Sequence, residues 1–307
     1  MERSVREKRV GIVGAGALGT LLASCLSRAG IGVRILLRST ARAETVRREA
    51  PLAEQTDDPA TLLPASFVFL CVKSYRTGDA AQRIAPALLA APTPVVSLQN
   101  GWGHLDLLEH ALPGVPLLAG TTTLGAYWDE AGRFHASTGG ITIFAAWTAG
   151  AEAGAAAAAR LFTAAGLRAQ TAPNAREVLW RKLVLNVAVN PLTAIHGVVN
   201  GAVRDSPALY ALACAAAREA VAVGAARGFL PAPYDPEPLL DALLHDTAGN
   251  RSSMAEDVAR GRTTEGDAIL GAVLREGAGG GVPTPIATSL SERLAALEAE
   301  RPTRPKP

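Results

Sequence analysis

The sequence predicts two domains of different class, an N-terminal α/β domain built on a parallel sheet and an all-α C-terminal domain. Three observations point there. The chain has 307 residues, enough for two domains at about 150 residues each. Short apolar strands alternate with helical patterns as far as residue 172. From residue 173 the strand patterns stop and helical ones follow one another.

Taken in order, Arg9–Val13 is short and β-branched, Ala17–Ala29 is small and leucine-rich, Gly30 closes that helix, and Gly32–Leu37 is a second apolar run. This is a βαβ unit. Phe67–Val72 and Pro94–Leu98 are strands separated by a helical pattern around Asp79–Leu89, which extends the parallel alternation. Leu117–Ala119 and Ile141–Phe144 read as later strands of the same sheet, and the alanine-rich Ala151–Ala165 as a packed helix. Helices are then expected over Ala175–Asn190, Ala208–Arg227, Pro236–Leu244, Ser253–Gly261, Thr264–Glu276 and Thr284–Ala299. The glycine run and prolines of Glu276–Pro285 read as a loop. Expected boundaries are 1–172 for the first domain, with a charged leader at 1–8, and 173–300 for the second, with a tail at 301–307.

Composition excludes several classes. Hydrophobic residues make up 49% but aromatics only 5%, so alanine, leucine and valine carry the apolar weight, which favours helices. Thirty basic against 28 acidic residues leave a formal charge of +2, too balanced for a general grip on nucleic acid. Cys25, Cys71 and Cys214 are far apart and flanked by apolar residues, so neither a disulfide framework nor a metal site is expected. No apolar run precedes the first strand, and charges interrupt the later ones before the roughly 20 residues a membrane span needs. The expectation is a cytoplasmic protein with no membrane partner.

Gly14-Ala15-Gly16-Ala17-Leu18-Gly19 fits G-x-G-x-x-G, directly after a strand and opening a helix. In that context the first glycine turns the chain, the second lets a pyrophosphate approach and the third allows close helix-to-strand packing, so the first domain is expected to be a Rossmann-type dinucleotide fold. An NAD-type fold would place a carboxylate at the end of the second strand. Here Arg38 stands there instead, a planar cation suited to a 2′-phosphate, so NADP is expected. Polar residues just past the other strand ends are the next candidates: Lys73 for a ribose or diphosphate, Asn100 for the nicotinamide end, and Ala126 after the Gly120–Thr123 turn. For each of these alone, ordinary turn chemistry is an equal explanation.

Lys182, Asn186 and Asn190 are spaced i, i+4, i+8 along an otherwise apolar helix, whose start Asn174 and Glu177 mark as a capping box. Such polar groups need partners if buried, and a substrate with carbonyl, hydroxyl and carboxylate oxygens supplies them. Asn250-Arg251-Ser252-Ser253 is a polar cluster at a helix start, where free N–H groups and hydroxyls can hold a carboxylate, and Glu265 follows. The competing reading is that either serine is only an N-cap and Glu265 a surface charge.

These residues resemble the ketopantoate reductase family over nearly the whole chain. The resemblance is most specific in Trp180-Arg181-Lys182 and Asn190-Pro191-Leu192-Thr193-Ala194, and includes Asn200-Gly201 and Thr264-Glu265 with Asp267. It implies NADPH-dependent reduction of ketopantoate to pantoate, on the way to pantothenate and coenzyme A. It also implies Lys182 as general acid, Asn186, Asn190 and Asn200 as substrate-binding amides, and Asn250 and Ser253 on the pantoate hydroxyl and carboxylate ends. Glu265 would lie near lysine and cofactor, and Ala126 would offer a backbone contact to the nicotinamide. Val199 departs from the proline often found before Asn200-Gly201.

The chemistry read from the residues agrees: charge developing on a carbonyl oxygen needs a cation that can also give up a proton, and Lys182 is one. Two alternatives stand beside it, a reductase of the same fold acting on another 2-oxo acid, and a non-catalytic NADPH-binding regulatory protein. The alanine-rich helices, Ala208–Gly224 above all, leave a homodimer open.

Overall fold

Predominantly apolar runs form the centre of the first sheet. The computed structural model describes residues 9–39, 42–129 and 131–300; the expected leader and tail lie outside them. Strands β1 (Arg9–Val13), β2 (Gly32–Leu36), β3 (Glu54–Thr56), β4 (Phe67–Leu70), β5 (Val95–Ser97) and β6 (Leu117–Thr122) alternate with α1 (Ala17–Arg28), α2 (Ala43–Glu49), α3 (Thr77–Ala90) and α4 (His104–Ala111). Then come the hairpin β7 (Gly125–Trp128) and β8 (Phe134–Ser137), β9 (Ile141–Ala146), α5 (Glu152–Ala164) and β10 (Arg168–Thr171). Every residue of β4 and β6 is buried, as expected of strands covered on both faces.

The eight-stranded sheet runs β10-β9-β6-β5-β4-β1-β2-β3. Six of its pairings are parallel and one, β6 with β9, is antiparallel. The run β3-β2-β1-β4-β5-β6 is the strand order of a doubly wound dinucleotide fold, whose order reverses between β1 and β4. Phe69 and Phe144 pack on Phe162 of α5 at ring distances of 5.5 and 4.9 Å, and all three are fully buried.

The sequence did not announce β3 and β10, because they are short, polar edge strands without an apolar pattern. Nor did it announce the β7–β8 hairpin, where Ala126 pairs with Ala136 and the turn is closed by Asp129, which accepts from Arg133 and His135. The expected turn at Gly120–Thr123 is in fact largely strand, since β6 continues through Thr122 and pairs it with Thr142.

The helical part comprises α6 (Ala175–His196), α7 (Asn200–Asp205), α8 (Pro207–Ala226), α9 (Glu237–Asp246), α10 (Ser253–Ala259), a π-helical turn (Asp267–Gly271), α11 (Ala272–Gly280) and α12 (Pro285–Ala299). The chain forms two compact units, divided between Val178 and Leu179 inside α6, and the four residues Asn100–Gly103 count with the second unit. Two expectations need correction. Helix α6 does not stop at Asn190: it runs through Pro191, and the Thr193 hydroxyl bonds back to the carbonyls of Val189 and Asn190 in that turn. The segment expected as a loop from Glu276 is helical to Gly280. Gly277 is needed there because a Cβ would come within 2.6 Å of Thr284, and the helix ends on the left-handed Gly281.

By length and hydropathy α8 is, among the described residues, one helix apolar enough to cross a membrane. Its two charged residues are engaged within the unit: Arg218 pairs with Glu237, and Glu219 accepts from the backbone N–H groups of Ile286 and Ala287.

Candidate active site

The glycine loop belongs to the first unit and sits at the switch point of the sheet. A Cβ on Gly14 would come within 2.8 Å of the Val72 nitrogen, and one on Gly19 within 1.9 Å of the Gly14 carbonyl oxygen. Packing of the chain on itself therefore explains both. Gly16 is different: it is exposed, and a Cβ there would meet nothing nearer than the Cys71 carbonyl at 3.9 Å. It forms the N-cap of α1 with no side-chain cap and no acidic residue in the first turn. Room above the glycine, uncapped N–H groups and a positive helix end together fit the diphosphate of a dinucleotide. Ala15, Ala17 and Leu18 complete this loop and are half-buried.

Arg38 is exposed just beyond β2. Its neighbour Leu37 is pinned by Arg83 of α3, which donates to the Leu37 carbonyl at 2.8 Å. Lys73 is half-buried at the end of the β4 connection, where its carbonyl accepts from Arg76. Gln99 buttresses the same strand ends: its amide donates to the Val72 carbonyl and to Thr77 Oγ1, and it is 4% exposed. Neither Arg83 nor Gln99 carried a sequence signal, since each acts through a distant backbone carbonyl. Ala126 lies half-buried on β7 of the hairpin.

In the second unit, α6 carries the stripe of Lys182, Asn186 and Asn190. The Asn174 side chain accepts from Glu177 N at 3.2 Å, starting the helix as its capping residue should. Trp180 is fully buried and donates to the Ala220 carbonyl of α8 at 2.9 Å; Gly224 leaves room for its ring. With the helix so anchored, Lys182 and Asn186 are half-buried and Asn190 is 8% exposed along one face. Burial pushes the Lys182 ammonium from 10.5 down to about 8, and the charge of Glu265 acts in the opposite sense.

Glu265 is 5% exposed and so is no surface charge. Its loop is held by Thr264, whose N–H donates to Glu298 and whose hydroxyl accepts from Gly266. The Glu265 carboxylate also accepts from the Asn100 amide at 3.4 Å. Asn200 opens α7 with its N–H on the Asn250 carbonyl, while its amide donates to Thr247 Oγ1. Gly201 is required beside it, because a Cβ would crowd Ala248 at 2.9 Å. The two serines divide as follows: Ser252 is the N-cap of α10 and accepts from Ala255 N and Thr193, whereas Ser253 is exposed, as is Asn250. Among the described residues, two buried side-chain amide atoms have no hydrogen-bond partner, the Asn186 Nδ2 donor and the Asn200 Oδ1 acceptor. Among the described residues no group of three or more His, Cys, Asp or Glu side chains is placed to hold a metal.

Residues 10–149 match the family described as ketopantoate reductase PanE/ApbA, and residues 174–298 match its C-terminal domain. The chain belongs to the ketopantoate reductase family. It is 31% identical over 303 residues to 2-dehydropantoate 2-reductase of Archaeoglobus fulgidus, spanning 96% of this chain and 99% of that one. Against the Vibrio cholerae 2-dehydropantoate 2-reductase it is 32% identical over 293 residues, or 94% and 97% of the two chains. The crystal structure of a ketopantoate reductase from Ralstonia eutropha JMP134 superposes with a TM-score of 0.83 at 29% identity, over 95% and 99% of the chains. A D-mandelate dehydrogenase solved with NADH and anilino(oxo)acetate shares the fold, with a TM-score of 0.86 at 23% identity over 95% and 98%. The family's oxidoreductases thus have the Rossmann-like first unit and helical second unit found in this chain.

Proposed function

We propose that this chain reduces ketopantoate to pantoate with NADPH and that Lys182 is the general acid. The observation that carries the reading is the pair of unsatisfied amide atoms, the Asn186 Nδ2 donor one helical turn from Lys182 and the Asn200 Oδ1 acceptor beside Asn250. A buried donor and a buried acceptor left open cost stability unless a ligand completes them, and an oxo acid that becomes a hydroxy acid offers both complements.

Gly14, Gly16 and Gly19 with the first turn of α1 would hold the cofactor diphosphate, Arg38 its 2′-phosphate, and Lys73, Asn100 and the Ala126 backbone its ribose and nicotinamide parts. Bound NADPH supplies a hydride to the keto carbon. Lys182 holds its ammonium on the carbonyl oxygen, stabilises the negative charge that grows there, and passes it a proton to complete the alcohol. Its lowered pKa suits it to give up that proton near neutrality. Glu265 favours the charged ammonium and orients Asn100. Asn186, Asn190, Asn200, Asn250 and Ser253 fix the substrate's hydroxyl and carboxylate oxygens.

The test follows NADPH absorbance with ketopantoate and a panel of other 2-oxo acids. Ketopantoate is expected to give the highest kcat/KM. A bulkier oxo acid in first place would move the assignment to another 2-oxo acid reductase. Binding of NADPH without turnover of any acid would leave a regulatory protein.

A further inference from the structure

The segment Asn100–Gly103 joins β5 to α4 and yet is packed into the helical unit. Three contacts hold it there. Gly101 has φ +90° and lies so close to the π-helical turn that a Cβ would come within 2.4 Å of the Ala268 carbonyl oxygen, so no other residue fits. The next N–H, that of Trp102, donates to that same carbonyl at 2.9 Å. A π turn breaks the regular ladder and frees such carbonyls for outside partners. The Trp102 indole then meets Trp180 edge-on at 5.0 Å and Phe229 at 4.4 Å, and its Nε1 donates to Glu276 Oε1 at 3.0 Å. The other oxygen of Glu276 accepts from Arg227 at 2.7 Å.

Resting on the reaction proposed above, we propose that Trp102, held by Glu276 and Arg227, is a positioning residue that fixes Asn100 against Glu265 for work on the nicotinamide end of the cofactor. Asn100 is two residues from Trp102, and Trp180 is two residues from Lys182. Trp180 keeps its own anchor on the Ala220 carbonyl of α8, so the Glu276 bond to Trp102 bears on Asn100 and not on the helix that carries Lys182. An indole with a single donor, locked by a carboxylate that is itself ion-paired, fixes the ring's rotation as well as its depth. Asn100 alone, on a flexible turn, would lack this restraint.

The experiment is a double-mutant cycle read by two measurements: NADPH affinity, from the fluorescence of the bound nucleotide without any oxo acid, and single-turnover hydride transfer. Glu276→Ala removes the indole's acceptor while leaving Asn100 chemically intact. It is expected to weaken NADPH binding and slow turnover by about tenfold together, the scale of one hydrogen bond to a charged group. Glu276→Gln keeps an acceptor oxygen for the indole and is expected to restore most of the loss. In an Asn100→Ala background, Glu276→Ala is expected to change nothing further, because the residue through which it acts is gone. An equal cost in both backgrounds, no cost in either, or no restoration by glutamine would overturn the proposal. Should Glu276→Ala fail to fold, Trp102→Phe, which keeps an aromatic ring and removes the donor, goes through the same cycle. If ketopantoate is not turned over, the binding arm still tests the anchor, so its failure and that of the proposed reaction are distinguishable.

Discussion

The Glu265 carboxylate opposes what burial does to Lys182: burial lowers the ammonium to about 8, and the buried negative charge raises it. If Lys182 donates the proton, reduction is fast while it is protonated and falls as pH rises through about 8, well below the 10.5 of an ordinary lysine. Glu265→Gln removes the raising charge, so the falling limb should move to lower pH. Single-turnover rates against pH check this; a limb unmoved by the substitution would sink the coupling.

Lys182→Met should abolish most turnover, by about 10²–10⁴-fold, with NADPH affinity retained. The same change should stabilise the fold. The native pKa lies below the unfolded one, so between about 8 and 10.5 the unfolded chain binds more protons and stability rises with pH. At pH 7 the wild type carries the full cost of the buried charge, and the methionine variant should melt about 2–4 °C higher. Calorimetry at pH 7 and 9.5 should show the gap closing at the higher pH.

Arg38→Ala should raise the KM for NADPH by about 10- to 100-fold, the scale of charged hydrogen bonds to a phosphate, and barely change that for NADH. Equal effects on the two cofactors would remove the 2′-phosphate role.

Two glycines of the first loop should separate by assay. Gly19→Ala places a methyl 1.9 Å from the Gly14 oxygen and should lower the melting temperature. Gly16→Ala meets no protein atom nearer than 3.9 Å, so it should melt like the wild type and lose dinucleotide affinity instead. Thermal melts alongside NADPH titration decide between these outcomes.

Gly224→Ala should destabilise the helical unit by roughly 1–3 kcal/mol, because the added methyl would lie 2.2 Å from the Trp180 indole nitrogen. Urea unfolding measures it.

What could be read from sequence was what repeats or stays local. The α/β alternation, the glycine loop and the i, i+4, i+8 stripe of Lys182, Asn186 and Asn190 each express a periodicity or a fixed spacing, and α1 and α6 place them accordingly. Short polar strands such as β3 and β10 owe their pairing to neighbours, and leave no local mark. Pro191 and the glycines after Glu276 looked like breakers, but the Thr193 hydroxyl bonds back to the Val189 and Asn190 carbonyls in the same turn, and Gly277 packs closely on Thr284, so both helices continue. Ser252 caps α10 locally but is also reached by the Thr193 hydroxyl 59 residues away, and the pairing of Asn100 with Glu265 spans 165 residues. No window along the chain contains such information.

The excursion of Asn100–Gly103 into the helical unit also bears on how this protein can be taken apart. A single cut after Val178 would give a C-terminal fragment lacking those four residues, with the Ala268 carbonyl and the Glu276 carboxylate deprived of their Trp102 donors. The two halves are therefore interlaced along the chain and not strung in series. A split or swapped version should need the Asn100–Gly103 strip supplied in trans or grafted as a loop, and a chimera that exchanges only residues 179–307 should bring along a helical half matched to someone else's strip.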